Sequence, residues 1–183
     1  MTTRVSLLGI SVLIAVLIAL GQALADNPDS AVAEVRGGPL APDIEGTVTF
    51  EAVEGGTMVT VEVWGLPDYE PGDPEAGVLP IGPHGFHVHA GTSCELGDPD
   101  SPFMDAEGHF DLHDMPHGAH AGDLPVLFSN DGYAFMTVFT NNFEVSDVIG
   151  RTIIIHQNPD DFRSQPAGDA GPRLACGEIV EGS

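Results

Sequence analysis

Residues 46–66, GTVTFEAVEGGTMVTVEVWGL, decide the fold class. Val48, Phe50 and Ala52 alternate with polar neighbours, and Val59, Val61 and Val63 repeat the pattern after Glu54-Gly55-Gly56. Successive side chains of a strand point to opposite faces, so a period of two gives each run one apolar face and one wet face. The Glu-Gly-Gly junction is a turn signal, and the two runs, Gly46 to Val53 and Thr57 to Leu66, read as a β-hairpin.

Further short runs extend the pattern on both sides. They lie near Ala31 to Arg36, at GFHVHA (85–90), from Gly132 to Phe139, from Arg151 to His156 and from Arg173 to Val180. Proline and acid dominate residues 67–83, and a long irregular section runs from Gly91 to Pro125. No amphipathic helix longer than two turns and no internal repeat is visible. Short strands separated by Gly- and Pro-rich turns predict an antiparallel sandwich or barrel carrying long functional loops.

The N-terminus reads differently. Arg4 is followed by the uncharged apolar run VSLLGISVLIAVLIAL, and Ala23-Leu24-Ala25 offers a small-x-small cleavage site. Residues 1–25 are therefore expected to be a signal peptide, the competing reading being a retained membrane anchor. Residues 26–44 are expected to form a flexible start and the first strand, and 31–183 a single domain. All 28 acidic residues lie beyond the cut against four arginines and no lysine, a formal charge of −24 for the mature chain. Nucleic acid and anionic membrane surfaces are poor partners for such a chain, because phosphate binding needs clustered Lys and Arg. Acidity of this kind suits solubility in a salty extracellular medium. Export also favours one disulfide between Cys94 and Cys176 over two free thiols. Closing so long a loop is worth about 4 kcal/mol in the chain-entropy model.

All eight histidines fall between His84 and His156. In HFDLHDMPHGAHAGD (109–123), His109, His113 and His117 recur at helical spacing, but Pro116, Gly118 and Gly122 make the segment a loop. On a strand His87 and His89 share one face with α-carbons about 6.5–7 Å apart, close enough for one metal ion. His156 ends a strand of three isoleucines, and Asp160 follows where a carboxylate could orient a ligand imidazole. Three histidines with one aspartate suit tetrahedral zinc, and four histidines suit copper.

These residues are embedded in HGFHVH, the Cys of GTSC, GHF, HAGDLP, DVIGRTIIIH, DDF and SQPAGDAGPRLACG, which run in order across nearly the whole mature chain. The chain from about Ala31 to Val180 thereby resembles the copper- and zinc-containing superoxide dismutases, most closely the exported bacterial kind. The resemblance implies an eight-stranded antiparallel Greek-key β-barrel with both metals on its outer wall under two loops. It implies His87, His89, His109 and His156 as copper ligands, and His109, His117, His120 and Asp123 as zinc ligands, with the His109 ring bridging the two ions. Asp160 would link ligands of both metals, Arg173 would stand beside the copper, and Cys94 would pair with Cys176.

The implied activity is conversion of superoxide to dioxygen and hydrogen peroxide by alternating copper(II) and copper(I), with zinc tuning the His109 ring and holding its loop. The implied catalytic residues are Arg173 and His109, the cofactors a copper and a zinc ion, and the compartment periplasmic, extracellular or cell-envelope. A monomer and a homodimer are both open. One departure from the family pattern is the three-residue interval between His117 and His120, where many members place a longer segment; zinc occupancy hangs on it. His113 is an extra histidine that could stand in for His117. Two other classes remain: a non-catalytic copper- or zinc-binding protein of the same fold, and a zinc hydrolase, which would lack a general-base motif such as His-Glu-x-x-His.

Overall fold

A computed structural model describes residues 28–183. The expected signal peptide, 1–25, lies outside the described residues. Seven strands form one curled antiparallel sheet: β1 (Ser30–Gly37), β2 (Glu45–Val53), β3 (Gly56–Trp64), β4 (Phe86–His89), β7 (Ala134–Thr140), β8 (Thr152–His156) and β9 (Arg173–Glu181). Their order is β4-β8-β9-β1-β2-β3-β7. A small hairpin, β5 (Gly97–Asp98) with β6 (Ser101–Pro102), and a 3-10 turn at Met104–Ala106 punctuate the long irregular section. The only α-helical element among the described residues is one turn, α1 (Val145–Val148), capped reciprocally by Glu144 and Asp147.

The period of two sets the core. Val48 and Phe50 of β2 and Val59, Val61 and Val63 of β3 are fully buried, while their alternating neighbours are partly or wholly exposed. Register confirms the hairpin, with Val48 opposite Val61 and Val53 opposite Gly56. The expected strand bounds shift where the backbone turns. Gly65 at φ 71° stops β3 at Trp64, and Asp131 and Gly132, both at positive φ, delay β7 to Ala134.

Barrel closure falls to an irregular eighth stave. Residues 121–130 run beside β4, bridged at His87↔Asp123 and His84↔Leu127, and turn into β7 through Asn130↔Tyr133. Pro125 has no N–H to donate, which is one reason that this stave never forms a regular ladder. On β8 every residue is buried: Ile153 and Ile155 join the barrel core, while Ile154 faces outward onto Phe103, Ala106 and Cys176. The outer wall at β4 and β8 is therefore covered by loops rather than water, and there the histidines collect.

Candidate metal centre

β4 carries His87 and His89 on its outward face, both essentially fully buried. His156 closes β8 two residues past the outward-facing Ile154, so alternation carries its ring to the same wall, beside a register shift against β9. Two isolated bridges bring the loop to the strand, His89↔His109 and His87↔Asp123. The result is two groups whose potential ligand atoms lie within 4.8 Å of one another: His87, His89, His109 and His156, and His109, His117, His120 and Asp123. His109 belongs to both.

Each ring is held from behind. His87 Nε2–H donates to Asp160 Oδ2 at 2.7 Å, His89 Nδ1–H to the Glu107 carbonyl at 2.9 Å, and His156 Nδ1–H to the Gly171 carbonyl at 3.2 Å. His117 Nε2–H donates to the other Asp160 oxygen at 2.8 Å, so one carboxylate ties the two groups together. The short His117–His120 interval closes on Asp123, whose Oδ2 accepts the Gly118 and His120 N–H groups at 2.8 and 3.0 Å. Gly118 at φ 90° lets the chain make that turn. His113 is exposed and belongs to neither group; His84 is buried inside the barrel, its ring nitrogens within reach of the Pro67 and His156 carbonyls.

The donor set fits metal ions. A carbonyl only accepts, so His89 and His156 commit their protons to Nδ1 and present lone pairs at Nε2. Those two Nε2 atoms lie 3.2 Å apart, an acceptor facing an acceptor, which a cation between them would reconcile. His87 Nδ1, His109 Nε2, His117 Nδ1 and His120 Nδ1 are buried without a hydrogen-bond partner, and all four residues are members of these groups. Burial, with repulsion from neighbouring rings and Arg173, holds His89 and His156 well below the ordinary imidazole range. Burial pushes His87 down to about 4, against the Asp160 hydrogen bond. Neutral imidazoles with free lone pairs are the form a metal takes. Burial would raise Asp160, but hydrogen bonds from His87, His117 and the Phe162 N–H outweigh it and hold the carboxyl at about 2.

Arg173, at the start of β9, donates to the Phe103 and Glu107 carbonyls and lines a cleft of about 720 Å³ together with His89, His109, His120 and His156. The Cys94–Cys176 disulfide, with Cα atoms 5.7 Å apart, pins the segment that supplies those carbonyls. A cleft with a fixed guanidinium over two histidine groups can draw a small anion to a metal.

Residues 44–179 match the family model for copper/zinc superoxide dismutase. The chain belongs to the copper/zinc superoxide dismutases. A superoxide dismutase [Cu-Zn] of Deinococcus radiodurans is 36% identical over 181 aligned residues, spanning 88% of this chain and 92% of that protein. One from Legionella pneumophila is 31% identical over 176, spanning 92% and 96%. The solved Cu/Zn superoxide dismutase from Brucella abortus superposes with a TM-score of 0.64 at 30% identity, covering 81% of this chain and 98% of that one. This dismutase is an oxidoreductase with copper and zinc as cofactors and superoxide as substrate. Sequence reasoning missed what the dismutase builds from backbone. The Glu107 and Gly171 carbonyls carry no side-chain signal. Gly168 is needed because a Cβ there would come within 1.9 Å of Asp160 Oδ1.

Proposed function

We propose that His87, His89, His109 and His156 hold the copper, that His109, His117, His120 and Asp123 hold the zinc, and that Arg173 receives the substrate. When bound, copper supplies a one-electron couple at the cleft floor and zinc a fixed charge on the Asp123 side. Two superoxide ions and two protons yield one dioxygen and one hydrogen peroxide. Arg173 binds and orients each anion, because its guanidinium faces the cleft while two carbonyls hold its position. His109 Nδ1 lies 2.9 Å from Asp123 Oδ1, so Nε2 is the nitrogen left toward the copper group. We assign to His109 Nε2 the holding and release of a proton for the departing peroxide. Asp160 keeps the His87 and His117 rings in register and takes no part in proton transfer.

The observation that carries this reading is the sharing of His109 between two ligand groups at the floor of a cleft that Arg173 lines. Residues 31–183 would be the working domain, exported after removal of 1–25, without a nucleic-acid or membrane partner. Elemental analysis of the purified mature protein beside a superoxide-consumption assay tests the assignment. One copper and one zinc per chain with activity are expected. Copper without activity would favour a storage or delivery protein, and zinc alone a hydrolase or an unloaded enzyme.

A further inference from the structure

Glu107 adopts φ 60° and ψ −149°, a region that glycine enters freely and a residue with a Cβ resists. Its carbonyl is the shared acceptor for His89 Nδ1 and the Arg173 guanidinium, so the peptide cannot relax without moving both. Glu107 is exposed and lines the cleft, and Asp100, also exposed, lines the same opening. Among the described residues neither carboxylate takes part in an ion pair or accepts a hydrogen bond. Among the described residues Arg173 is the one guanidinium on the lining. The other arginines among the described residues are occupied or distant. Arg36 pairs with Glu34 and Glu45, Arg151 lies over the Phe110 ring at 4.0 Å, and Arg163 stands exposed outside the cleft. The mouth thus sets two carboxylates against one cation, in an enzyme whose substrate is an anion.

We propose that Glu107, with Asp100, is a charge filter that admits small monoanions to Arg173 and the copper site and turns away multiply charged ones. The repulsion at a fixed distance scales with the charge of the entering ion. A factor by which the carboxylates weaken binding of a monoanion is therefore squared for a dianion of similar reach. Two carboxylates against one arginine leave the mouth with one negative charge in excess, so sulfate or phosphate meets twice the net opposition that a monoanion meets. This inference rests on the assignment of Arg173 and the copper histidines made above.

The test uses the full mature protein loaded with copper and zinc, its metal content verified. Azide, a monoanion, is titrated by the visible absorption of copper(II). Sulfate is titrated as a competitor, at one ionic strength of about 0.1 M, where the screening length is about 10 Å. Glu107→Gln removes the charge and keeps the side-chain size; Glu107→Gly also removes the conformational cost. Both are expected to tighten azide by about threefold and sulfate by about ninefold. The gain on azide is expected to vanish near 1 M salt, where screening reaches about 3 Å. Only Glu107→Gly should raise the unfolding midpoint. Unchanged affinities in Glu107→Gln, equal gains for both anions, or a gain that survives 1 M salt would each overturn the filter. Arg173→Gln is run in parallel. Unchanged azide binding there refutes the Arg173 assignment itself, independently of what the Glu107 variants read.

Discussion

Asp160 reaches His87 through one oxygen and His117 through the other, across 73 and 43 residues of chain. An amide in its place would set a donor against one of two ring N–H groups. Asp160→Asn is expected to lower zinc affinity by about 10–100-fold, measured by metal titration of the apoprotein, with a smaller effect on copper. Arg173→Glu should cost roughly 10–100-fold in kcat/KM with copper content intact, because it removes the attraction nearest the reacting anion and adds repulsion. Full activity in the metallated variant would dismiss Arg173 as the anion's receptor. At Glu107 the glycine variant should gain about 1–3 kcal/mol of stability in urea unfolding, the usual cost of that backbone region for a side-chain-bearing residue.

Strands β4 and β8 carry His87, His89 and His156, and the burial of these rings makes the elements sensitive to acid when metal is absent. His87, held at about 4, and His89 and His156, held well below the usual range, all bind fewer protons folded than unfolded. Their contribution is complete above the unfolded value of about 6.5 and is lost as pH falls toward the folded values. Asp160 acts in the same direction lower down, from about 3.9 toward 2. Urea midpoints of the metal-free protein should therefore fall steadily between about pH 7 and pH 4. A flat profile over that window would contradict the burial argument. The 94–107 segment depends on its disulfide in another way. Phe103 and Ala106 pack with Ile154 and Cys176, and the carbonyls of Phe103 and Glu107 hold Arg173. Replacing both cysteines by serine should cost about 2–5 kcal/mol of stability and lower kcat/KM beyond any loss of copper.

The whole molecule combines a strongly acidic surface with a wall of opposed lone pairs. With 28 carboxylates and no lysine, long-range attraction of an anion is weak, and screening over about 8 Å at physiological salt confines the field to the nearest groups. The metals also act as staples. Ions present at 1,000 times their dissociation constants add about 4 kcal/mol each to the folded state. Chelation of both ions should therefore lower the thermal midpoint by more than about 10 °C in a chain of this size, as calorimetry of holo and apo forms would show.

The period-two alternation of 46–66 was enough to determine an antiparallel hairpin, because one buried face leaves its apolar residues every second position whatever the rest of the chain does. Histidine placement was equally legible: His87 and His89 on one strand face, and a loop at 109–123 that Pro116 and Gly118 keep from being a helix. Tertiary structure alone decided which nitrogens are free. That follows from the carbonyls of Glu107 and Gly171 and from the carboxylate of Asp160, groups whose sequence position says nothing about what they face. It also decided that the three-residue interval between His117 and His120 closes, since Asp123 gathers the backbone of that turn. Local periodicity is written in side chains, whereas the contacts that fix a ring's tautomer are made by backbone atoms brought together only on folding.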